Sequence, residues 1–221
     1  MADTKHRIYN AVIFDLDGTL LDTLEDLYRA TNRALTRHGM PTRTREEVRM
    51  FVGNGVEMLI RRAVPPTADE AAITAVLADF KGIYADLWAE HTAPYRGITR
   101  LLEALREEGI HVAVVSNKFD EATKQLCKTF FGELVEVSVG ERGGIRKKPA
   151  PDTVFEALRA LGTSPDTAVY VGDSDVDIQT ALAAKMPCIS VTWGLRDEKF
   201  LVEKGATQLA HSPDELRNML V

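Results

Sequence analysis

The sequence predicts an α/β fold, a parallel sheet covered by helices on both faces, with an all-helical unit inserted after the first strand. Three observations predict it. Apolar runs of strand length alternate with segments of helical periodicity, the pattern that successive β-α-β connections require. Residues 22–93 break that alternation with helical periodicity and no convincing strand, a stretch too long for one crossover. Several apolar strands end in polar, potentially reactive residues, as expected where an open α/β sheet binds ligands at its carboxyl edge.

Strand-like runs fall at residues 11–16, 111–116, 134–139, 168–171 and 187–191, with a weaker one at 206–210. Between most of them, residues 100–108, 121–129, 153–161, 178–185 and 213–220 carry apolar side chains at helical spacing. Within the insertion, Leu24, Leu27, Tyr28, Thr31 and Leu35 form one helical stripe. Ile73, Val76, Leu77, Phe80, Ile83, Tyr84, Leu87 and Trp88 form another. Short hinges are expected at Leu20-Leu21-Asp22 and at Ala93-Pro94-Tyr95-Arg96-Gly97. The expected division is therefore a discontinuous core of residues 1–20 and 95–221, interrupted by a helical domain of residues 21–94.

A chain of 221 residues with 45% hydrophobic and 27% charged residues can bury a sizeable core and is neither disordered nor membrane-embedded in composition. Residues 1–7 are polar and lack a secretory apolar segment, so the expected location is cytoplasmic. A formal net charge of −6 argues against general nucleic-acid binding, which relies on a basic surface. Cys127 and Cys188 are far apart and form no Cys-x-x-Cys pair, so they read as packed thiols. None of the histidines has the i, i+4 partner of a zinc-protease motif, and none is assigned a role. Oligomeric state, monomer or homodimer, is not readable.

Asp15 and Asp17 end the first strand, in Ala11-Val12-Ile13-Phe14-Asp15-Leu16-Asp17-Gly18-Thr19-Leu20. Residues two apart on a strand share a face, and two carboxylates held together call for a shared proton or a bound cation. Gly18 permits a sharp turn that leaves both at the sheet edge. Ser116 and Asn117 end the second strand and can donate hydrogen bonds to phosphate oxygens, although both residues also cap helices well. The glycine-containing loop 142–152 is basic. Lys148, immediately before Pro149, is its candidate for a site, with Lys147 the neighbouring alternative and a solvated charge run the plain reading. Val169-Tyr170-Val171-Gly172-Asp173 is another strand ending in an acid, and Asp177 follows four residues later, able to share a face with Asp173 or simply to cap a helix. Asp175 is left unassigned. Such a concentration of carboxylates around one lysine requires a cation, and oxygen-only ligation favours Mg2+.

In this order, Asp15-x-Asp17-Gly18-Thr19, Ser116, Lys148-Pro149-x-Pro151 and Gly172-Asp173-x-x-x-Asp177 resemble the four motifs of the haloacid dehalogenase superfamily. The resemblance implies a Rossmann-like three-layer core and a helical cap that closes over the active site. It also implies metal ligation by Asp15, the backbone carbonyl of Asp17 and Asp173, with Asp177 as a ligand or orienting partner. By the same resemblance Ser116 contacts the transferred phosphoryl group and Lys148 balances its charge, with Asn117 a further phosphate-binding candidate. Asp15 is then the nucleophile that forms an aspartyl-phosphate, and Asp17 the general acid and base. Arg96 stands where many relatives have proline, at a position remote from the motifs.

The expected substrate is a small phosphorylated metabolite. In the insertion, Gly53, Asn54 and Gly55 can expose backbone N–H groups at a helix start, a seat for an anionic substrate tail, or can form a tight turn. Val52-Gly53-Asn54-Gly55 is similar to the cap loop of bacterial phosphoglycolate phosphatases, which implies 2-phosphoglycolate. Arg61 and Arg62 face either substrate or solvent. Pyrophosphate, nucleotides and sugar phosphates are alternative substrates. A sugar phosphate mutase is disfavoured by Gly172 before Asp173, where such mutases resemble Glu-Asp. A retired phosphate-binding regulatory module is the reading from another class, disfavoured because Asp15, Asp17, Lys148 and Asp173 are all present.

Overall fold

The computed structural model describes residues 9–221, so the polar stretch 1–7 and the expectation drawn from it lie outside the described residues. The chain opens with strand β1 (Ala11–Phe14) and a short strand β2 (Leu21–Asp22). Helices α1 (Leu24–Arg37), α2 (Arg45–Phe51), α3 (Val56–Ala63) and α4 (Glu70–Leu87) follow, before strand β3 (Ala93–Pro94) leads back. Then come α5 (Ile98–Glu107), β4 (His111–Phe119), α6 (Asp120–Phe131), β5 (Val137–Glu141), α7 (Asp152–Ala160) and β6 (Ala168–Gly172). The chain ends with α8 (Asp175–Ala184), β7 (Cys188–Val191), α9 (Glu198–Glu203), β8 (Leu209–Ala210) and α10 (Pro213–Leu220).

Six strands form a parallel sheet in the order β5-β4-β1-β6-β7-β8. β1 is central, with β4 on one side and β6 on the other, so the connections diverge at its carboxyl end, the switch point where such sheets bind ligands. Alternation along β1 builds the layers. Val12 and Phe14 pack with Leu102 of α5, Leu126 of α6 and Leu216 of α10, whereas Ala11 and Ile13 pack with Leu158 of α7 and Ala181 of α8. The expected three-layer α/β core is present.

The insertion is all-helical apart from its ends. Its helices start where local chemistry favours them: Thr44 and Glu47 form a reciprocal capping box on α2, and Asp69 accepts the Ala72 N–H on α4. They bury their own cluster, including Leu35, Val48, Ile60, Val76 and Phe80. The expected hinges are more ordered than loops: β2 pairs antiparallel with β3, Leu21 opposite Pro94 and Asp22 opposite Ala93. Buried Asp26 fastens the exit by accepting from the backbone N–H groups of His91 and Thr92 and from the Thr92 hydroxyl. Cys127 and Cys188 are both free, and burial pushes their thiols up to about 12.

Candidate active site

The carboxyl ends of β1, β4 and β6 bring the sequence candidates together. Phe14 is in register with Val114 and Val171, which places Asp15, Ser116 and Asp173 at one edge of the sheet. The Asp15 N–H donates to the Val171 carbonyl at 2.8 Å, fixing the start of the turn. Gly18 occupies φ +91°, and a Cβ there would overlap the Asp173 carboxylate, so glycine is required by conformation and by space.

Lys148, 3% exposed, projects from the loop before α7 into the acidic centre. Its Nζ lies 2.7 Å from Asp15 Oδ1, 2.8 Å from Asp177 Oδ1 and 3.1 Å from Tyr170 Oη, one contact for each ammonium proton. Burial alone would lower its pKa, but Asp15 and Asp177 outweigh burial and hold it well above the usual lysine range. Lys147, the neighbouring alternative, lies outside this acidic centre, its Nζ 3.4 Å from Glu141 Oε1.

Asn117 organises that loop. Its Oδ1 accepts the Lys148 N–H at 2.8 Å, while its Nδ2 donates to the Lys148 carbonyl at 3.0 Å and to the Gly53 carbonyl at 3.2 Å. The carboxamide thus clasps Lys148 and touches the helical insertion, rather than presenting itself to the acidic centre. Ser116 is oriented differently: its Oγ accepts the Lys118 N–H at 3.1 Å, which leaves the hydroxyl proton available to donate.

Asp173 Oδ1 accepts from the Thr19 hydroxyl at 3.1 Å and Oδ2 from the Leu195 N–H at 2.6 Å. Asp177 Oδ2 accepts from the Ser174 hydroxyl at 2.6 Å and its backbone N–H at 3.1 Å. Carboxylate oxygens of Asp15, Asp173 and Asp177 lie within 4.8 Å of one another. Burial and the Asp177 charge push the Asp15 carboxyl well above its ordinary range and that of Asp173 up to about 7. One ammonium does not balance these three acids, and the donors are all oxygen. The residues therefore fit a hard divalent cation such as Mg2+, with Asp15 and Asp173 better placed to ligate than Asp177, which faces Lys148, Tyr170 and Ser174.

A cavity of about 40 Å³ separates this edge from the insertion. Asp15, Asp17, Ser116, Asn117 and Lys118 line its floor, and Leu27, Val52, Gly53, Gly55, Val56 and Leu59 its roof. Gly53 and Gly55 adopt φ +126° and +86°, so the expected glycine turn exists and opens directly into α3. Asn54 Oδ1 accepts from Arg62, whose guanidinium also donates to the Phe51 carbonyl, and Arg61 pairs with Glu57 and Glu70. Neither arginine lines the cavity.

Two features were not anticipated from sequence. Lys118 Nζ lies 2.8 Å from Asp17 Oδ1, a buried ion pair inside the cavity. Its only sequence signal is a lysine immediately after Ser116 and Asn117, at the end of an otherwise apolar strand. The second is residues 193–196. Trp193 Nε1 donates to the Thr19 carbonyl, Leu195 packs in the helical cluster, and Arg196 donates to the carbonyls of Arg49, Met50 and Val52 at the end of α2.

Known proteins resemble this chain over most of its length. The profile of haloacid dehalogenase-like hydrolases matches residues 12–191. The phosphoglycolate phosphatase of Pseudomonas putida is 35% identical over 188 residues, 83% of this chain and 69% of that protein. That of Nitrosococcus oceani is 30% identical over 215 residues, 95% of either chain. Among solved structures, a phosphoglycolate phosphatase candidate from Lactobacillus delbrueckii subsp. bulgaricus superposes with a TM-score of 0.92 at 36% identity, covering 96% of this chain and 98% of that one. CbbY from Rhodobacter sphaeroides, solved in complex with phosphate, gives 0.76 at 30% identity, covering 94% and 96%.

Proposed function

The chain belongs to the haloacid dehalogenase-like hydrolases and is a phosphatase of that family; on that premise we propose that it hydrolyses a small phosphomonoester, 2-phosphoglycolate, with Mg2+ and through an aspartyl-phosphate. The observation that carries the reading is the Asp15 carboxylate, held by Lys148 at the floor of a small cavity beside Asp17 and Ser116. The relatives named for phosphoglycolate support the substrate. We assign residues 1–20 and 95–221 to the catalytic core and 21–94 to a cap; the β2–β3 ribbon supports that boundary. Among the described residues, no helix is long and apolar enough to cross a membrane.

In this mechanism Asp15 attacks phosphorus in line as the bond to the leaving oxygen breaks, and Asp17, which enters this step as the neutral acid with its Oδ1 still accepting from Lys118, gives its proton to that oxygen. Asp17, now a carboxylate, takes a proton from water, whose oxygen attacks phosphorus and releases phosphate and free Asp15. Ser116 donates to the phosphoryl oxygens, joined by Lys148 as its N–H toward Asp15 turns to a phosphoryl oxygen when Asp15 bonds phosphorus, while Asp177 with Tyr170 holds the ammonium in place. Asn117 acts through the Lys148 backbone. Asp15, the Asp17 carbonyl and Asp173 would hold Mg2+, which supplies positive charge against the phosphoryl group.

The test is Mg2+-dependent phosphate release from 2-phosphoglycolate, pyrophosphate, nucleoside monophosphates and sugar phosphates. A strong preference for 2-phosphoglycolate is expected. Broad, weak activity would retain the phosphatase and reject the substrate, and no activity would restore the binding-module reading.

A further inference from the structure

We propose that Lys118 determines substrate class, its ammonium reading a carboxylate on the leaving group of the phosphomonoester. The inference rests on the phosphatase reading and deepens it.

The roof of the cavity carries apolar side chains at Leu27, Val52, Val56 and Leu59, beside the backbone of Gly53 and Gly55, so a side-chain countercharge for a charged leaving group comes from the floor. Lys118 lines that floor and is 4% exposed. Its Nζ lies 2.8 Å from Asp17 Oδ1 and 4.8 Å from the centroid of the Tyr84 ring on α4. The Asp17 bond engages one of three ammonium protons, and the ring attracts the cation from the helical side. Donor capacity remains on an ammonium whose side chain lines the cavity.

Among the described residues, Lys118 is the cation that lines the cavity itself, and the others near this edge sit against different partners. Lys148 contacts Asp15, Asp177 and Tyr170, and Lys147 contacts Glu141. Arg62 contacts Phe51 and Asn54, and Arg196 contacts the carbonyls ending α2.

Distance along the substrate agrees with this assignment. Asp17 meets the bridging oxygen in the proposed mechanism, and Lys118 is bonded to Asp17. A carboxylate carbon two bonds beyond that oxygen, as in 2-phosphoglycolate, falls beside the ammonium. A longer polyol places hydroxyls, rather than charge, at the same point. Lys118 thus serves two partners within one small space, orienting the acid and selecting an anion.

The test compares kcat and KM for 2-phosphoglycolate and ethyl phosphate, in which a methyl group replaces the carboxylate, in wild type, Lys118→Met and Lys118→Arg. Wild type is expected to prefer 2-phosphoglycolate by about 10- to 100-fold, the value of one charge-assisted hydrogen bond. Lys118→Met lowers kcat on both substrates by releasing Asp17, and additionally raises KM for 2-phosphoglycolate, so that the preference collapses. Lys118→Arg restores part of it. Parallel losses on both substrates, with the preference intact, would overturn the inference and leave Lys118 as a support for Asp17. Wild-type hydrolysis of both without preference would overturn it too, whereas hydrolysis of neither would reject the 2-phosphoglycolate reading on which the inference rests and the inference with it. Should Lys118→Met fail to fold, wild-type affinities with Mg2+ decide: 3-phosphonopropionate is expected to bind at least about 10-fold tighter than propylphosphonate, and equal affinities would overturn the inference.

Discussion

The backbone N–H of Leu195 donates to Asp173 Oδ2 at 2.6 Å while the Leu195 side chain is buried in the hydrophobic cluster of the inserted helices. One residue therefore links the acidic centre to the roof of the cavity. Gly194 makes the approach possible, because a Cβ at that position would overlap the Asp173 side chain and the Gly18 carbonyl.

Truncation of Leu195 separates the two roles. Leu195→Ala keeps the N–H but empties a site 5% exposed, and is expected to destabilise the protein by about 2–5 kcal/mol. Denaturant unfolding measures this loss. Mg2+ affinity, read by calorimetry, is expected to change little because the Asp173 hydrogen bond remains.

Lys148 and Lys147 differ in consequence as they differ in direction. Lys148→Met leaves Asp15 and Asp177 facing each other without their ammonium, and is expected to abolish turnover and to cost about 3–5 kcal/mol of stability. Lys147→Met loses a half-exposed contact to Glu141, with an expected change within about 0.5 kcal/mol. Paired unfolding curves and initial rates check both.

Metal binding has a readout independent of turnover. Mg2+ at about 100 times its dissociation constant is expected to stabilise the folded protein by about 2.7 kcal/mol, seen as a rise in Tm. Asp173→Asn is expected to remove most of that rise. Asp177→Asn should retain it while lowering kcat, since Asp177 faces Lys148 and Ser174.

Gly18→Ala tests the turn. At φ +91° an alanine carries a backbone cost of about 1–2 kcal/mol, and its Cβ meets the Asp173 carboxylate and Leu195. Lower stability together with weaker Mg2+ binding is expected; wild-type values for both would show that the turn relaxes without disturbing Asp173.

The core elements were legible because their signals are periodic and local. Val12 and Phe14 against Ala11 and Ile13 state the two faces of β1 before any contact is known. The β2–β3 ribbon was read as hinges because a strand of two residues is too short to show a period. Helix α9, six residues long, passed unnoticed for a similar reason. The motifs point to Asp15, Lys148 and Asp173, which the fold brings to one sheet edge, whereas nothing local to Asn117 shows that its carboxamide faces the Lys148 backbone. Lys118, Leu195 and Arg196 depend on partners far away in sequence, respectively Asp17, Asp173 and the end of α2, and carry no local pattern.

The measurement that bears most directly on the account is the initial rate of phosphate release from 2-phosphoglycolate by purified Asp15→Asn, with Mg2+, beside wild type. The expected result is a folded protein whose rate falls to the buffer background, because among the described residues no other carboxylate both lines the cavity and contacts Lys148. Near-normal release by Asp15→Asn would contradict covalent catalysis at Asp15.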